Sequence, residues 1–521
     1  MSRFRRFARS LVSGYVLLGG NILYTLASVP LALRYLSKAE FWLWAITTLI
    51  AGYVALIDMG MSASVARILI DHKDERRHGG YGGLIKTGAL VGIAQGGLIF
   101  IVGAGLALVM GPLLNVPPAL EHDFTWLMIG QCAILGVSFA SRIFSHLLTA
   151  HQRYDITNYA QTILFAVNFA VMWALFARGF GVFSILWAQA FGTIVAVAVN
   201  GLGCYALKLF PAPGEWGRAS WAQFKELFAF GRDIFLFALG GQLITTSQAL
   251  LLTRFLGPET ALVWSVCTRT YILLQQLIYR IFDYSSSALA EMIVRRERDL
   301  AAVRFRQIVI ISTSLSVAAG TLFALCNSAF VEVWTAGAKD GKIVWPALND
   351  LLLAIWLLIS VSVHAHVGLV GQTKQFKFLR YIFFIEGLAF VGLTILLHRL
   401  GGVTGMLLVS IACSLAFSFP YGLRRTRDYF KLSWGELAEW HRAPLQLALW
   451  LVPLALVAAW LTADLPPLGR LLVRSSSVGI LALWMFLRYG LGQSLQAEVA
   501  RRVPGWMRPF LRRVCFFEPA R

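Results

Sequence analysis

Runs of twenty or more largely apolar residues, separated by short basic or Gly/Pro-containing breaks, recur along the whole chain and constrain it more than any other feature. A helix needs about 20 apolar residues to cross a ~30 Å hydrocarbon core. In lipid every backbone N–H and C=O must be satisfied inside the segment. Such runs therefore predict an all-α polytopic membrane protein. Spans are expected near 11–33, 41–66, 84–110, 124–149, 156–177, 182–206, 228–253, 260–290, 305–330, 347–370, 378–397, 402–423, 444–462 and 468–488, about 14 transmembrane helices. Composition agrees: 58% hydrophobic, 14% charged, with a mean hydropathy of +0.68. No stretch is left over for a large water-soluble domain. The first run continues from Leu11 to about Leu33, too long for a cleaved signal, so it reads as an uncleaved span.

A formal charge of +20 suggests nucleic acid until its placement is considered. With the N-terminus inside, the inner segments hold 36 of the 46 Lys and Arg. These are the tail with Arg3, Arg5, Arg6 and Arg9, the loops at 71–78, 151–155, 295–299, 374–377 and 424–431, the 208–232 stretch and the Arg-rich C-terminus. The charge is thus a topology signal and an anionic-lipid contact, not a nucleic-acid surface. An even number of spans puts both termini in the cytoplasm, in a bacterial inner membrane.

The longest early break, 208–227, contains Pro211, Pro213 and Gly214 and then a short amphipathic segment, 221–227. Beyond it the pattern restarts. Gly19, Gly20 and Asn21 in the first run match Gly240, Gly241 and Gln242 in the seventh, and Arg34-Tyr35-Leu36 matches Arg254-Phe255-Leu256. Shared order and offset favour duplication of a six-helix unit, which keeps both copies in one orientation as parallel repeats. The expected organisation is an N-terminal six-helix bundle (1–207), a cytoplasmic linker (208–227), a C-terminal six-helix bundle (228–423), and a basic loop with two extra helices and a cytoplasmic tail (424–521).

The run 261–291 is the awkward one. At ~100° per residue, Ser265, Arg269, Gln276, Arg280, Asp283 and Ser287 share an arc of about 60°. A charge near mid-bilayer costs several kcal/mol unless it faces protein or water, which makes this stripe a candidate cavity lining with Arg269 its cation. The plain alternative is helix–helix contact, with Arg280 and Asp283 as an ion pair near the interface. A second stripe in the fourth run carries Gln131, Ser138, Arg142, His146 and Thr149, with snorkelling as the alternative for Arg142. Asn21 and Gln242 form milder polar faces. Glu386 is the most isolated acid in any run; it either binds a coupling ion or proton or pairs with an arginine. Asp58 and Asp283, at the inner ends of the second and eighth runs, are further coupling candidates. His364 and His366 are expected at the membrane interface.

No soluble catalytic constellation is present. A phosphate-cradling P-loop is missing, the six cysteines form no CxxC or Cys/His cluster, and the longest outer loop, about 331–346, is too short to hold two glycosidase carboxylates. The chain is not expected to be an enzyme, to hold a metal or to need a cofactor.

About 14 helices, a duplicated half, Asp58-Met59-Gly60-Met61 closing the second run and the Thr149–Tyr154 phrase after the fourth together resemble the polysaccharide repeat-unit (O-antigen/exopolysaccharide, Wzx-type) flippases. These belong to the multidrug/oligosaccharidyl-lipid/polysaccharide exporter superfamily. The resemblance implies two bundles around a partly cationic cavity that opens alternately to each side. It implies an undecaprenyl-pyrophosphate-linked oligosaccharide as cargo, and as partners membrane lipids and the polysaccharide polymerase and chain-length proteins. Substrate binding would fall to Arg269, Arg142 and Arg280. The related lipid II flippases carry several arginines in the first, second and eighth helices. Arg269 matches the eighth, whereas Thr47, Thr48 and Ala51 in the second and Asn21 in the first do not. Two further readings stand beside the flippase: a drug/cation antiporter of the same superfamily, and a non-transporting scaffold of a polysaccharide assembly complex.

Overall fold

The computed structural model describes residues 3–72, 79–151, 153–373, 378–491 and 496. The basic loops at 73–78 and 374–377 and the tail 497–521 lie outside the described residues, as do the side chains of Arg3, Arg5, Arg6, Arg9 and Ser287. The described chain is helical throughout and divides into two compact units, 1–262 with 337–341, and 263–336 with 342–521.

The first unit contains α1 (Arg3–Tyr35), α2 (Lys38–Val54), α3 (Met61–His72), α4 (Gly80–Leu113), α5 (Glu121–Ala140), α6 (Arg142–Ala150), α7 (Tyr154–Phe176), α8 (Phe183–Ala206), α9 (Trp221–Thr245) and α10 (Ser247–Leu256). Helices of equal apolarity to lipid associate through close backbone approach at small residues. The α4–α5 seam shows it: a Cβ on Gly96 would stand 2.4 Å from the Gly136 carbonyl oxygen, and one on Gly103 would stand 2.2 Å from Cys132 Sγ. Aromatic stacking joins α1 to α7, with Tyr24 on Phe165 at 5.3 Å and Tyr35 on Phe176 at 5.2 Å. The 221–227 segment is not a separate surface helix. Ser220 caps it by accepting from the Ala222 N–H (3.2 Å), and it runs straight into α9.

The second unit holds α12 (Arg269–Val294), α13 (Arg298–Trp334), α14 (Ala347–Gln372), α15 (Leu379–Ala416), α16 (Ser418–Phe430), α17 (Trp434–Glu439), α18 (Arg442–Leu461) and α19 (Pro467–Met485); α11 (Pro258–Cys267) precedes α12. The long α13 is its axis, packed by α12, α14, α18 and α19. The two terminal helices are fastened to it by Leu447, Leu451 and Met485. Arg474 adds a polar staple, donating to Thr462 Oγ1 (2.7 Å) and to the Leu325 (2.9 Å) and Ala459 (3.2 Å) carbonyls.

Among the described residues, twelve helical stretches are long and apolar enough to cross a membrane. The eleventh and twelfth expected spans form one of these, Leu379–Phe430, bent at Gly402 (φ 53°, ψ −135°). The eighth expected span is α11 plus α12, whose charges set it apart from the twelve. The expected stop between the fifth and sixth is where Gly179 (φ 82°) and Gly181 (φ 55°) turn the chain.

Five expected spans are broken rather than continuous, the twelfth at Phe417 between α15 and α16. The second breaks after Val54 through a 3-10 turn ending at Asp58, because Met59 (φ 47°) and Gly60 (φ 73°) are both left-handed. The others break at Ser141, Thr246 and Thr268. Ser141 and Thr268 donate their hydroxyls back to Val137 O (2.8 Å) and Trp264 O (2.7 Å), the competing local bond that bends helices.

Candidate functional site

The break at Thr268 positions the principal candidate, because it makes Arg269 the first residue of α12. Thr268 itself stays right-handed, with its N–H on Trp264 O (3.0 Å) and its carbonyl accepting from the Ile272 N–H (2.9 Å), so α11 runs into α12 through a one-residue bend. Below it, α12 buries one face within its unit: Tyr271, Ile278, Phe282 and Leu289 are all under 5% exposed. The opposite face is left uncovered. Gln276, Arg280 and Asp283 are exposed, and Ser265 and Arg269 are half-buried. Ile272, Leu277 and Tyr284 are exposed beside them, so the face is mixed, and its charged groups need water or a polar ligand in place of hydrocarbon.

The stripe is not internally neutralised in the expected way. Asp283 meets His364 Nε2 at 2.9 Å, and His364 stacks flat on Tyr279 with centroids 3.8 Å apart. Arg280 instead lies 5.8 Å from the Tyr284 ring. Of the two histidines expected at the interface, His364 is partly exposed, but His366 is fully buried. Helix α16 and Phe305 of α13 cover it, and its Nδ1 lies 2.7 Å from Thr426 Oγ1.

What holds the start of α12 was not anticipated from sequence. Asp350, in the first turn of α14, is 0% exposed. Its Oδ1 accepts from Asn327 Nδ2 (2.7 Å) and Trp345 Nε1 (2.8 Å), and its Oδ2 from the Ser328 hydroxyl. Asn327 also donates to the Cys267 carbonyl (3.1 Å) and accepts from the Thr270 hydroxyl. The residues on either side of the break are thus tied to α13 and α14. The available signal was Pro346 followed at once by an apolar run, with an acid in its first turn.

In the first unit, two residues assigned to different roles lie together. Arg142 Nη1 donates to Ser62 Oγ (3.1 Å) and lies 3.8 Å from Asp58 Oδ1. Asp58 takes the Ser62 hydroxyl (2.5 Å) and amide (3.2 Å), while its carbonyl takes Gln95 Nε2 (3.0 Å). The Arg142 guanidinium lies 3.4 Å from the Phe139 ring centroid. Arg142 is therefore held by its own unit rather than snorkelling outward. Gln242 serves the break at Thr246: its carbonyl accepts from Tyr53 OH (3.0 Å) and its side-chain oxygen from the Thr246 hydroxyl. Asn21 is half-buried on α1.

Glu386, 1% exposed on α15, has no basic partner among the described residues. Its Oε1 accepts from Ser414 (3.0 Å) and Ser418 (3.1 Å), which flank the α15–α16 junction at Phe417. Its buried Oε2 has no hydrogen-bond partner among the described residues.

The helical units have the fold of the transporters of the MOP superfamily. An inward-facing multidrug resistance MATE family transporter of that superfamily superposes with a TM-score of 0.63 at 11% identity, covering 79% of this chain and 96% of its own. An outward-facing one gives 0.56 at 14%, covering 82% and 97%. A MOP superfamily transporter from Pyrococcus furiosus, described by the reverse polarity of its binding pocket, gives 0.55 at 14%, covering 82% and 96%. No curated protein matches the chain by sequence. The model of the polysaccharide biosynthesis protein family matches residues 10–286, more than half of the chain, and the protein belongs to that family.

Proposed function

We propose that the protein is a flippase that moves an undecaprenyl-pyrophosphate-linked oligosaccharide from the inner to the outer leaflet of the cytoplasmic membrane by alternating access. The observation that carries this reading is the polar face of α12, with Gln276, Arg280 and Asp283 exposed and Arg269 half-buried just past the bend at Thr268. A diphosphate headgroup needs forked cationic donors in a shielded place, and guanidinium supplies them. Family membership supplies the saccharide side of the proposal. Arg269 engages the pyrophosphate; Arg280 lies on the same face, three turns further in. Arg142 takes part only if it leaves Asp58, to which it is now joined. Glu386 is the proposed coupling group, since one of its buried oxygens takes two hydroxyls and the other takes none among the described residues.

The test is translocation of a fluorescent polyprenyl-pyrophosphate oligosaccharide in proteoliposomes, read as the fraction accessible to an impermeant reagent. Wild type is expected to move it, Arg269→Ala to slow it by ten-fold or more, and Glu386→Gln to remove its dependence on an imposed ion gradient. The likeness to multidrug resistance MATE family transporters favours a drug/cation antiporter as second reading. Gradient-driven accumulation of an organic cation without lipid movement would establish that reading instead. Movement of neither would leave a scaffold.

A further inference from the structure

A second charged site lies at the other end of the second unit, away from Arg269. Three candidate spans end together there: α13 begins at Arg298, α14 ends at Gln372, and α16 ends at Phe430. Between these ends is a pocket of about 290 Å³ lined by Arg298, Arg425, Asp428, Tyr429, Lys431 and Thr373, floored by Leu369 and Val370. We propose that this pocket binds a phosphate oxyanion at the membrane surface, carried by the headgroup of an anionic lipid.

The charge balance is the first argument. Among the described residues, three cations line the pocket against one carboxylate, and that carboxylate is already held, with Arg427 Nε and Nη2 donating to Asp428 Oδ1 at 3.0 and 2.6 Å. The floor is the second. The carboxyl end of a helix ordinarily repels an anion through its free carbonyls. Here the Thr373 N–H donates to the Leu369 (3.1 Å) and Val370 (3.2 Å) carbonyls, and the Thr373 hydroxyl donates to Val370 O (2.7 Å). Two of the α14 carbonyls nearest the pocket are thus already engaged.

Construction of the walls is the third. Helix α16 is pressed onto α14, where a Cβ on Gly422 would come within 3.0 Å of His366 Cβ, and Thr426 meets His366 at 2.7 Å. That seat presents Arg425 and Tyr429 towards the end of α14. Lys431 follows in a left-handed conformation (φ 58°) that turns the chain at the pocket rim. The Arg298 guanidinium lies 5.7 Å from the Tyr429 ring, so the aromatic restrains that cation at the pocket wall. Depth favours a lipid as the source, because the ends of spanning helices lie at headgroup level, and the basic loops place this end on the anionic, cytoplasmic leaflet.

The experiment uses the full-length purified protein and the exposed-residue variant R298Q/K431Q, with thermal stability confirming that the variant is folded. Native mass spectrometry with phosphatidylglycerol and with phosphatidylcholine forms one arm, and titration with inorganic pyrophosphate forms the other. Phosphatidylglycerol retained over phosphatidylcholine by wild type, and about ten-fold or more weaker in the variant, is expected. Pyrophosphate binding with the same loss, but no lipid preference, would keep the phosphate chemistry and assign the source to a soluble or substrate phosphate. Equal retention of both lipids together with no pyrophosphate binding, or binding by either probe that the variant leaves unchanged, overturns the proposal.

Discussion

Removing the Asp350 carboxylate is the sharpest test of how the start of α12 is held. In Asp350→Ala, the Asn327 amide, the Trp345 indole N–H and the Ser328 hydroxyl lose their acceptor together. Each buried donor left unsatisfied costs about 1–3 kcal/mol. Relaxation and partial re-pairing make the three less than additive, so the expected loss is roughly 3 kcal/mol or more. For a unit of this size that is a fall of about 6 °C or more in the thermal midpoint. Asp350→Asn is the control. It keeps one acceptor oxygen for Asn327 and Trp345, and its amide can donate to the Ser328 oxygen, so it is expected to lose less than half as much. Both are measured by thermal unfolding in detergent, alongside polar-thiol labelling of an Arg269→Cys reporter. Asp350→Ala should change the labelling rate and Asp350→Asn should not. Equal midpoints for the two substitutions, within a degree, would refute the claim that the carboxylate organises this break.

The remaining predictions are narrower. Gly368→Ala places a Cβ 2.2 Å from the Phe282 ring and is expected to destabilise by about 1–3 kcal/mol, with Phe282→Leu restoring part of the loss in thermal unfolding. A double-mutant cycle of Asp58→Ala and Arg142→Ala should give a coupling of about 1 kcal/mol, discounted for partial exposure and a 3.8 Å separation; zero coupling would mean that Ser62 alone holds Arg142. Burial holds the His441 imidazole below its ordinary pKa, so its neutral form is the stable one in the folded protein. That contribution is complete above about pH 6.5 and is lost as pH falls below it, so His441→Phe should lose less stability than wild type between pH 7 and 5.

Apolar length and residue spacing are local properties, and they determined the all-helical membrane fold, the number of spans apart from the fused eleventh and twelfth and the charged eighth, and the α12 stripe. An arginine, a glutamine and an aspartate at helical spacing share a face whatever packs behind them, which is why the exposed Gln276, Arg280 and Asp283 were legible. Glycine signals worked for the same reason at Gly179 and Gly181, where positive φ is needed. Hydropathy averages over about twenty residues, however, and a one-residue break at Ser141 or Thr268 does not disturb the average. Partner choice was beyond the sequence altogether. Asp283 lies beside His364, Asp58 beside Arg142, and Glu386 beside two serines, all pairings set by which helices pack together. Only the tertiary structure could place Asp350 at the joint of α11 and α12 and assemble a basic pocket from Arg298, Arg425 and Lys431. Periodicity decides which face a residue occupies, but packing alone decides what that face meets.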